Sequence, residues 1–165
     1  FAWILTSNIL VAIDIQNLYY KFSLKSSKID FGKLKQRIID DVIKEENDKL
    51  ELLAFFSIHH RGVGQDFKAM LEKYGYLPFE KETFDKNKNI DVVIVSEIFK
   101  RLIRNDDSFD TFVLVAGDKD YQSLLDIMRF KKKHTIVYSL RDVFSRKLLI
   151  ADNIFLLEEE DIILR

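Results

Sequence analysis

Thr111-Phe112-Val113-Leu114-Val115-Ala116-Gly117-Asp118-Lys119-Asp120-Tyr121 is the stretch on which the fold turns. Thr111 to Val115 reads as a strand buried on both faces, and it runs straight into Ala116-Gly117-Asp118, a turn that carries an acid. The start of the chain has the same design: Asn8-Ile9-Leu10-Val11-Ala12-Ile13 is an apolar run that ends at Asp14. Strands that are apolar throughout, rather than on alternate residues, belong to parallel sheets with helices on both faces. The segments between them fit that expectation. Leu34 to Lys44 reads as a helix, with Leu34, Ile38, Ile39 and Val42 on one stripe and Asp30 as a candidate cap. Leu50 to Ile58 is β-compatible, and Gln65 to Tyr74 is helical and stops at Gly75. Tyr76 to Glu82 is a short strand whose Pro78, the only proline, suits a sheet edge.

The second half repeats the rhythm. Within Ile90 to Arg104, Val92-Val93-Ile94-Val95 alone would suggest a strand. The segment is long for one, however, and Ile98, Phe99, Leu102 and Ile103 continue a helical stripe, so the whole reads as a helix. Tyr121 to Phe130 is expected as a helix, His134 to Tyr138 as a strand, Val143 to Ile150 as a helix and Asn153 to Leu157 as a last strand. Alternating units of this kind predict an α/β fold, three layers deep, with a mostly parallel central sheet.

Composition narrows the chemistry. The 165 residues carry a formal net charge of -1, with 47% hydrophobic and 32% charged residues, five glycines and no cysteine. Without cysteine there is no disulfide framework, no thiolate metal site and no cysteine nucleophile. Abundant apolar residues argue against disorder, and near-neutral charge argues against a dedicated DNA-coating protein. No apolar run approaches the roughly 18 residues of a membrane helix. The expectation is a single soluble, cytoplasmic domain from 8 to 157. Phe1 to Ser7 begins without methionine and reads as an extension or tag remnant. Residues 158–165 form an acidic tail, and Glu158-Glu159-Glu160-Asp161 is expected as a solvated face.

In an open parallel sheet, ligands bind beyond the carboxyl ends of the strands. Acids cluster in the sequence at those places. Asp14 ends the first strand and Asn17 follows it; Asp118 and Asp120 follow the strand at Thr111–Val115; Asp91 opens the long helix and Glu97 lies within it; Asp152 precedes the last strand. Singly, each has a plainer reading. Asp14 can cap a loop, Asp118 can cap a helix, Asp91 suits a helix dipole and Asn17 suits a turn. Glu97 is six residues past Asp91, roughly 120° around the helix, and reads as a support for the acids or as a surface residue. Jointly, carboxylates gathered at one edge repel one another and lose solvation, and a hard divalent cation such as Mg²⁺ or Mn²⁺ relieves both costs. Such a cation activates water and stabilises charge on a phosphodiester.

These same residues resemble the NYN domain family, a branch of the PIN-like nucleases. Val11-Ala12-Ile13-Asp14-Ile15-Gln16-Asn17-Leu18 is similar to the family's opening strand and D-x-x-N; Lys88-Asn89-Ile90-Asp91-Val92 to its K-x-V-D-V; Leu114-Val115-Ala116-Gly117-Asp118-Lys119-Asp120-Tyr121 to its L-V-S-G-D-x-D-F. Ala151-Asp152 stands like the family's A-D before the last strand. The likeness runs from about Asn8 to Leu157. It implies a three-layer PIN-like domain and a metal-dependent endoribonuclease acting on RNA, expected to be single-stranded. Asp14, Asp91, Asp118 and Asp120 would be the catalytic and metal-holding acids for Mg²⁺ or Mn²⁺, with Asn17 orienting substrate or a carboxylate. Three departures stand out: Ala116 replaces serine, Glu97 replaces the commoner aspartate, and Tyr121 replaces phenylalanine, the last a mild change.

Substrate phosphates call for cations at the rim of the acids. Lys88 and Arg61 are the candidates, with His59 and His60 beside Arg61 read as a polar loop. Tyr19, Tyr20 and Phe22 around Lys21 suit base stacking or loop packing equally. Lys131-Lys132-Lys133-His134 lies at the opposite edge and reads as a solvated turn. A catalytically weak RNA-binding or assembly module is the alternative, and Ala116 leans that way. A phosphohydrolase of another doubly wound type fits less well, since the first strand lacks D-x-D and no glycine-rich phosphate loop is present. A homo-oligomer is left open.

Overall fold

A computed structural model describes residues 7–19, 29–58, 63–82 and 90–163. Six strands form one sheet: β1 Asn8–Asp14, β2 Lys49–Ile58, β3 Leu77–Glu82, β4 Thr111–Val115, β5 His134–Leu140 and β6 Asn153–Leu157. Their order is β3-β2-β1-β4-β5-β6, and every neighbouring pair is parallel. The helices are α1 Ile15–Tyr19, α2 Phe31–Val42, α3 Val63–Lys73, α4 Ile90–Arg104 and α5 Gln122–Phe130. An isolated antiparallel bridge joins Ile29 to Ile163.

Alternation along the strands supplies both faces of the sheet with core. Val11 and Ile13 of β1, with Val113 and Val115 of β4, pack beneath Phe31, Leu34 and Ile38 of α2 and Leu71 of α3. Leu10 and Ala12, with Phe112 and Leu114, pack beneath Ile94 and Ile98 of α4 and Leu124, Leu125 and Met128 of α5. A strand covered on both sides has no polar face to present, which is why β1 and β4 read as unbroken apolar runs. Asp30 caps α2 as expected, its carboxylate accepting the Lys33 N–H at 3.0 Å. α4 spans the ambiguous segment in full, with Ile90, Ile94, Ile98 and Leu102 buried along one side.

The chain runs from β1 outward to β3, then returns to start β4 against β1 and continues outward the other way to β6. The loops after β1 and β4 therefore diverge to opposite faces and leave a crevice between them. One expected helix is different. In place of a helix over Val143 to Ile150 there are two short 3-10 turns, Arg141–Val143 and Arg146–Ile150, separated by Phe144 and Ser145. The Ser145 N–H is drawn away to the Gly117 carbonyl at 2.8 Å, so the ladder of a continuous helix is not made.

Candidate active site

Asp14 is the last residue of β1 and is only 5% exposed. Its carboxylate is held on both oxygens. The Asn17 N–H donates to Oδ1 at 3.1 Å, and the Tyr121 hydroxyl donates to Oδ2 at 2.7 Å. Each oxygen keeps one further lone pair for another partner. Asn17 sits in the short helix α1, and its side-chain Oδ1 accepts the Gly117 N–H at 2.9 Å. That bond ties the β1 loop to the β4 loop across the crevice. The amide oxygen of Asn17 is thus engaged with the protein itself, which makes the residue a brace between the two acid-bearing loops.

Asp118 caps the 3-10 turn Lys119–Tyr121 and accepts the Asp120 N–H at 3.0 Å. Asp91 stands in the first turn of α4 and accepts the Val92 N–H at 2.9 Å. The plain readings are therefore real for both, a cap at Asp118 and a first-turn acid at Asp91, and each uses only part of the carboxylate. What remains is electrostatic. Burial raises the Asp14 carboxyl above its ordinary value; the Tyr121 and Asn17 donors pull it down, and Asp118 and Asp91 push it up again. Asp91 is raised by burial first, then by the Asp120 carboxylate within hydrogen-bonding reach and by the charge on Asp118. Four acids from three elements thus feel one another, and among the described residues none of them is ion-paired to a basic side chain.

The donor set suits a hard divalent cation: oxygen ligands, surplus negative charge and no thiolate. Among the described residues no three acidic or imidazole side chains are grouped closely enough to hold a metal ion between them. A hard cation that keeps several waters needs only one or two direct carboxylate ligands. Asp91 and Asp120 also border a cleft of about 560 Å³ that runs along α4 past Val95, Phe99 and Lys100. A larger cleft, about 620 Å³, lies at the opposite edge of the sheet. Size does not make it the better site, because two of its acids are already spent. Asp48 accepts the N–H groups of Ser7, Lys44 and Glu45, and Asp110 accepts that of Asn8.

Other acids in the sequence pattern lie elsewhere. Asp152 is at the N-terminal edge, where its Oδ2 accepts the Thr135 N–H at 2.8 Å and the Thr135 hydroxyl at 3.0 Å, latching β6 to β5. Glu97 points to Arg101, 3.9 Å away, and Arg101 in turn reaches Glu51 of β2 at 2.8 Å. Neither joins the cluster. The lysine run departs from a solvated turn at one position: Lys133 is buried, its ammonium donating to the Asp106 and Phe109 carbonyls and lying 4.5 Å over the Phe109 ring. The acidic run near the end forms a 3-10 turn, Glu159–Asp161, with Arg141 on Glu158 at 2.7 Å and Arg37 on Asp161 at 3.6 Å. Lys88, Arg61, His59, His60, Tyr20, Lys21 and Phe22 lie outside the described residues.

Tyr121 is the site residue that motif reading undervalued. Its ring fills the core on the α4–α5 side, while its hydroxyl reaches Asp14. A phenylalanine would pack equally well there but has no proton to donate, so the exchange is not mild.

Comparison with solved structures gives a crystal structure of a protein of unknown function from Vibrio parahaemolyticus, similar at a TM-score of 0.79 and 20% identity, over 99% of this chain and 100% of that one. At that identity the likeness speaks for the fold alone. No curated protein matches the chain. The family comparison reaches further, matching the NYN domain over residues 8–158 and so spanning all six strands and the acid cluster. The chain belongs to the NYN domain family, and its parallel sheet is the PIN-like nuclease fold which that family implies.

Proposed function

We propose that this domain is a metal-dependent endoribonuclease that hydrolyses phosphodiester bonds of RNA, single-stranded and cytoplasmic by preference. The observation that carries the reading is that Asp14, Asp91, Asp118 and Asp120, around the β1–β4 crevice, lie within electrostatic reach of one another, with none of them ion-paired to a basic side chain among the described residues. The structural hydrogen bonds use only part of these carboxylates, and the remaining repulsion between them is accounted for by function. Mg²⁺ or Mn²⁺ held by these carboxylates would supply an activated water and offset the charge that builds on the phosphoryl oxygens.

The protein's own contribution is positional. Asp14 is fixed by two donors, so its free lone pairs have a set direction. Asn17 holds the Gly117 N–H and thereby keeps the Asp118 turn in register with β1. Asp91 and Asp120, with raised proton affinity on Asp91, form the side of the cluster that faces the α4 cleft, where a strand has room to lie. Lys88 and Arg61 enter the proposal by sequence position alone, as phosphate contacts.

A second reading, a weakly catalytic RNA-binding module, is favoured by the openness of the cluster and by Ala116. One experiment separates them. Labelled single-stranded RNA is incubated with the protein in Mn²⁺, Mg²⁺ or EDTA, beside Asp118→Asn. Cleavage that requires the cation and falls at least a hundredfold in the variant is expected. Retention of intact RNA under all conditions would overturn the nuclease reading and leave the binding module.

A further inference from the structure

Tyr121 closes the 3-10 turn that carries Asp118 and Asp120, and its side chain is fully buried. A buried phenol has to place its proton on an acceptor, and this one places it on Asp14 Oδ2 at 2.7 Å, 107 residues away in the chain. The Asn17 N–H occupies the other oxygen. Two donors on two oxygens leave the carboxylate no freedom to rotate without losing a bond. The contact also couples the turn bearing two acids to the strand end bearing the third.

The position beside Asp14 on the neighbouring strand has no hydroxyl. Ile13 pairs with Val115 in parallel register, so the next step along brings Asp14 alongside Ala116. Alternation sends both side chains to the face on which α4 and α5 pack, the face that holds Ala116 and Tyr121 together in one core cluster. Among the described residues, Tyr121 supplies the one side-chain hydroxyl bonded to Asp14.

We propose that Tyr121 is a positioning residue: its hydroxyl locks Asp14 in the orientation that turns the remaining lone pairs of the carboxylate toward the acid cluster. It touches neither substrate nor cation. Without that bond Asp14 rotates within its pocket, and the four acids no longer act as one site. A hydroxyl introduced at position 116, alongside Asp14, restores the function from the other side. The inference rests on the reading of the acids as a cation site, and its main readout is independent of RNA cleavage.

The test compares wild type, Tyr121→Phe and the double variant Tyr121→Phe/Ala116→Ser by Mn²⁺ titration, following free Mn²⁺ by electron paramagnetic resonance. Circular dichroism and thermal melting monitor the fold. Tyr121→Phe is expected to weaken Mn²⁺ binding about tenfold with its melt close to wild type, and the double variant to recover at least threefold of that loss. On RNA, kcat is expected to drop in Tyr121→Phe while KM stays unchanged. Equal Mn²⁺ affinity in wild type and Tyr121→Phe, or no recovery in a well-folded double variant, would overturn the proposal. If Tyr121→Phe melts early, a double variant that melts normally but binds Mn²⁺ as weakly as Asp14→Asn overturns it too. Normal Mn²⁺ results without any RNA cleavage would sink the nuclease reading and leave the role of Tyr121 standing.

Discussion

Asp14 and Asp91 are each ionised at a cost. Burial is the largest cause for both, and the neighbouring carboxylates add to it. Because their folded-state pKa values are raised, the folded chain binds more protons than the unfolded chain between the ordinary carboxylate value and the raised one. Stability therefore falls as pH climbs through that window: the contribution is fully present below about pH 4 and lost above the folded pKa. Removing one charge should relieve the strain. Asp91→Asn is expected to raise the melting temperature of the metal-free protein at pH 7 by only about 1–2 °C, because Asp91 is largely solvated and water screens the repulsion. The gain should shrink as the pH falls toward the ordinary carboxylate value, because protonation of Asp91 removes the charge that the variant removes. A paired series of thermal melts from pH 4 to 8 in EDTA checks this; a variant less stable than wild type at pH 7 would contradict it.

At the scale of elements, the turn after β4 is closely held at Gly117. Its N–H and C=O at Gly117 are both taken, by Asn17 and by Ser145. A Cβ on Gly117 would press on Ser139 Oγ and stand 2.5 Å from the Val143 carbonyl. Glycine is required here by close approach of the chain after β5. Gly117→Ala should cost about 1–3 kcal/mol, the usual penalty for overpacking a rigid site, and urea unfolding measures it. The same bond from Ser145 explains why Val143 to Ile150 does not form the helix its apolar spacing suggests. Helices whose ends are self-contained were readable: Asp30 and the stripe of α2, and the long stripe of α4, need no partner to be identified. The short helix α1 has no such signal, since its role is to bring Asn17 onto Gly117.

Across the whole molecule, the order β3-β2-β1-β4-β5-β6 puts the two acid-ended strands side by side at the point where the winding reverses. That topology, with a family match from 8 to 158, concentrates negative charge in one crevice while the net charge is only -1. A ligand that binds the folded state alone stabilises it by mass action. Mg²⁺ or Mn²⁺ at ten times its dissociation constant should add about 1.4 kcal/mol, a rise of about 3–6 °C in melting temperature for a domain of this size. Asp118→Asn should show a much smaller rise. Differential scanning fluorimetry with and without EDTA reads both, and an equal rise in the variant would place the cation away from the cluster. Among the described residues no helix is long and apolar enough to cross a membrane.

The architecture was legible in the amino-acid order because it depends on local and periodic features. Unbroken apolar runs mark strands buried on both faces, a 3.6-residue stripe marks α4, and acids directly after strands mark the edge where a doubly wound sheet opens. The surroundings of several of these residues depend on contacts between positions far apart in the chain. Asp152 stands before its strand in the sequence, but that it is consumed by Thr135 of the neighbouring strand follows only from the fold. Lys133 looks solvated among lysines, yet two carbonyls and the Phe109 ring hold it inside. Tyr121 looks like a substitute phenylalanine, yet its hydroxyl meets a carboxylate 107 residues away. Hydrogen bonds and burial depend on which surfaces the fold brings together, and spacing along the chain carries no record of that.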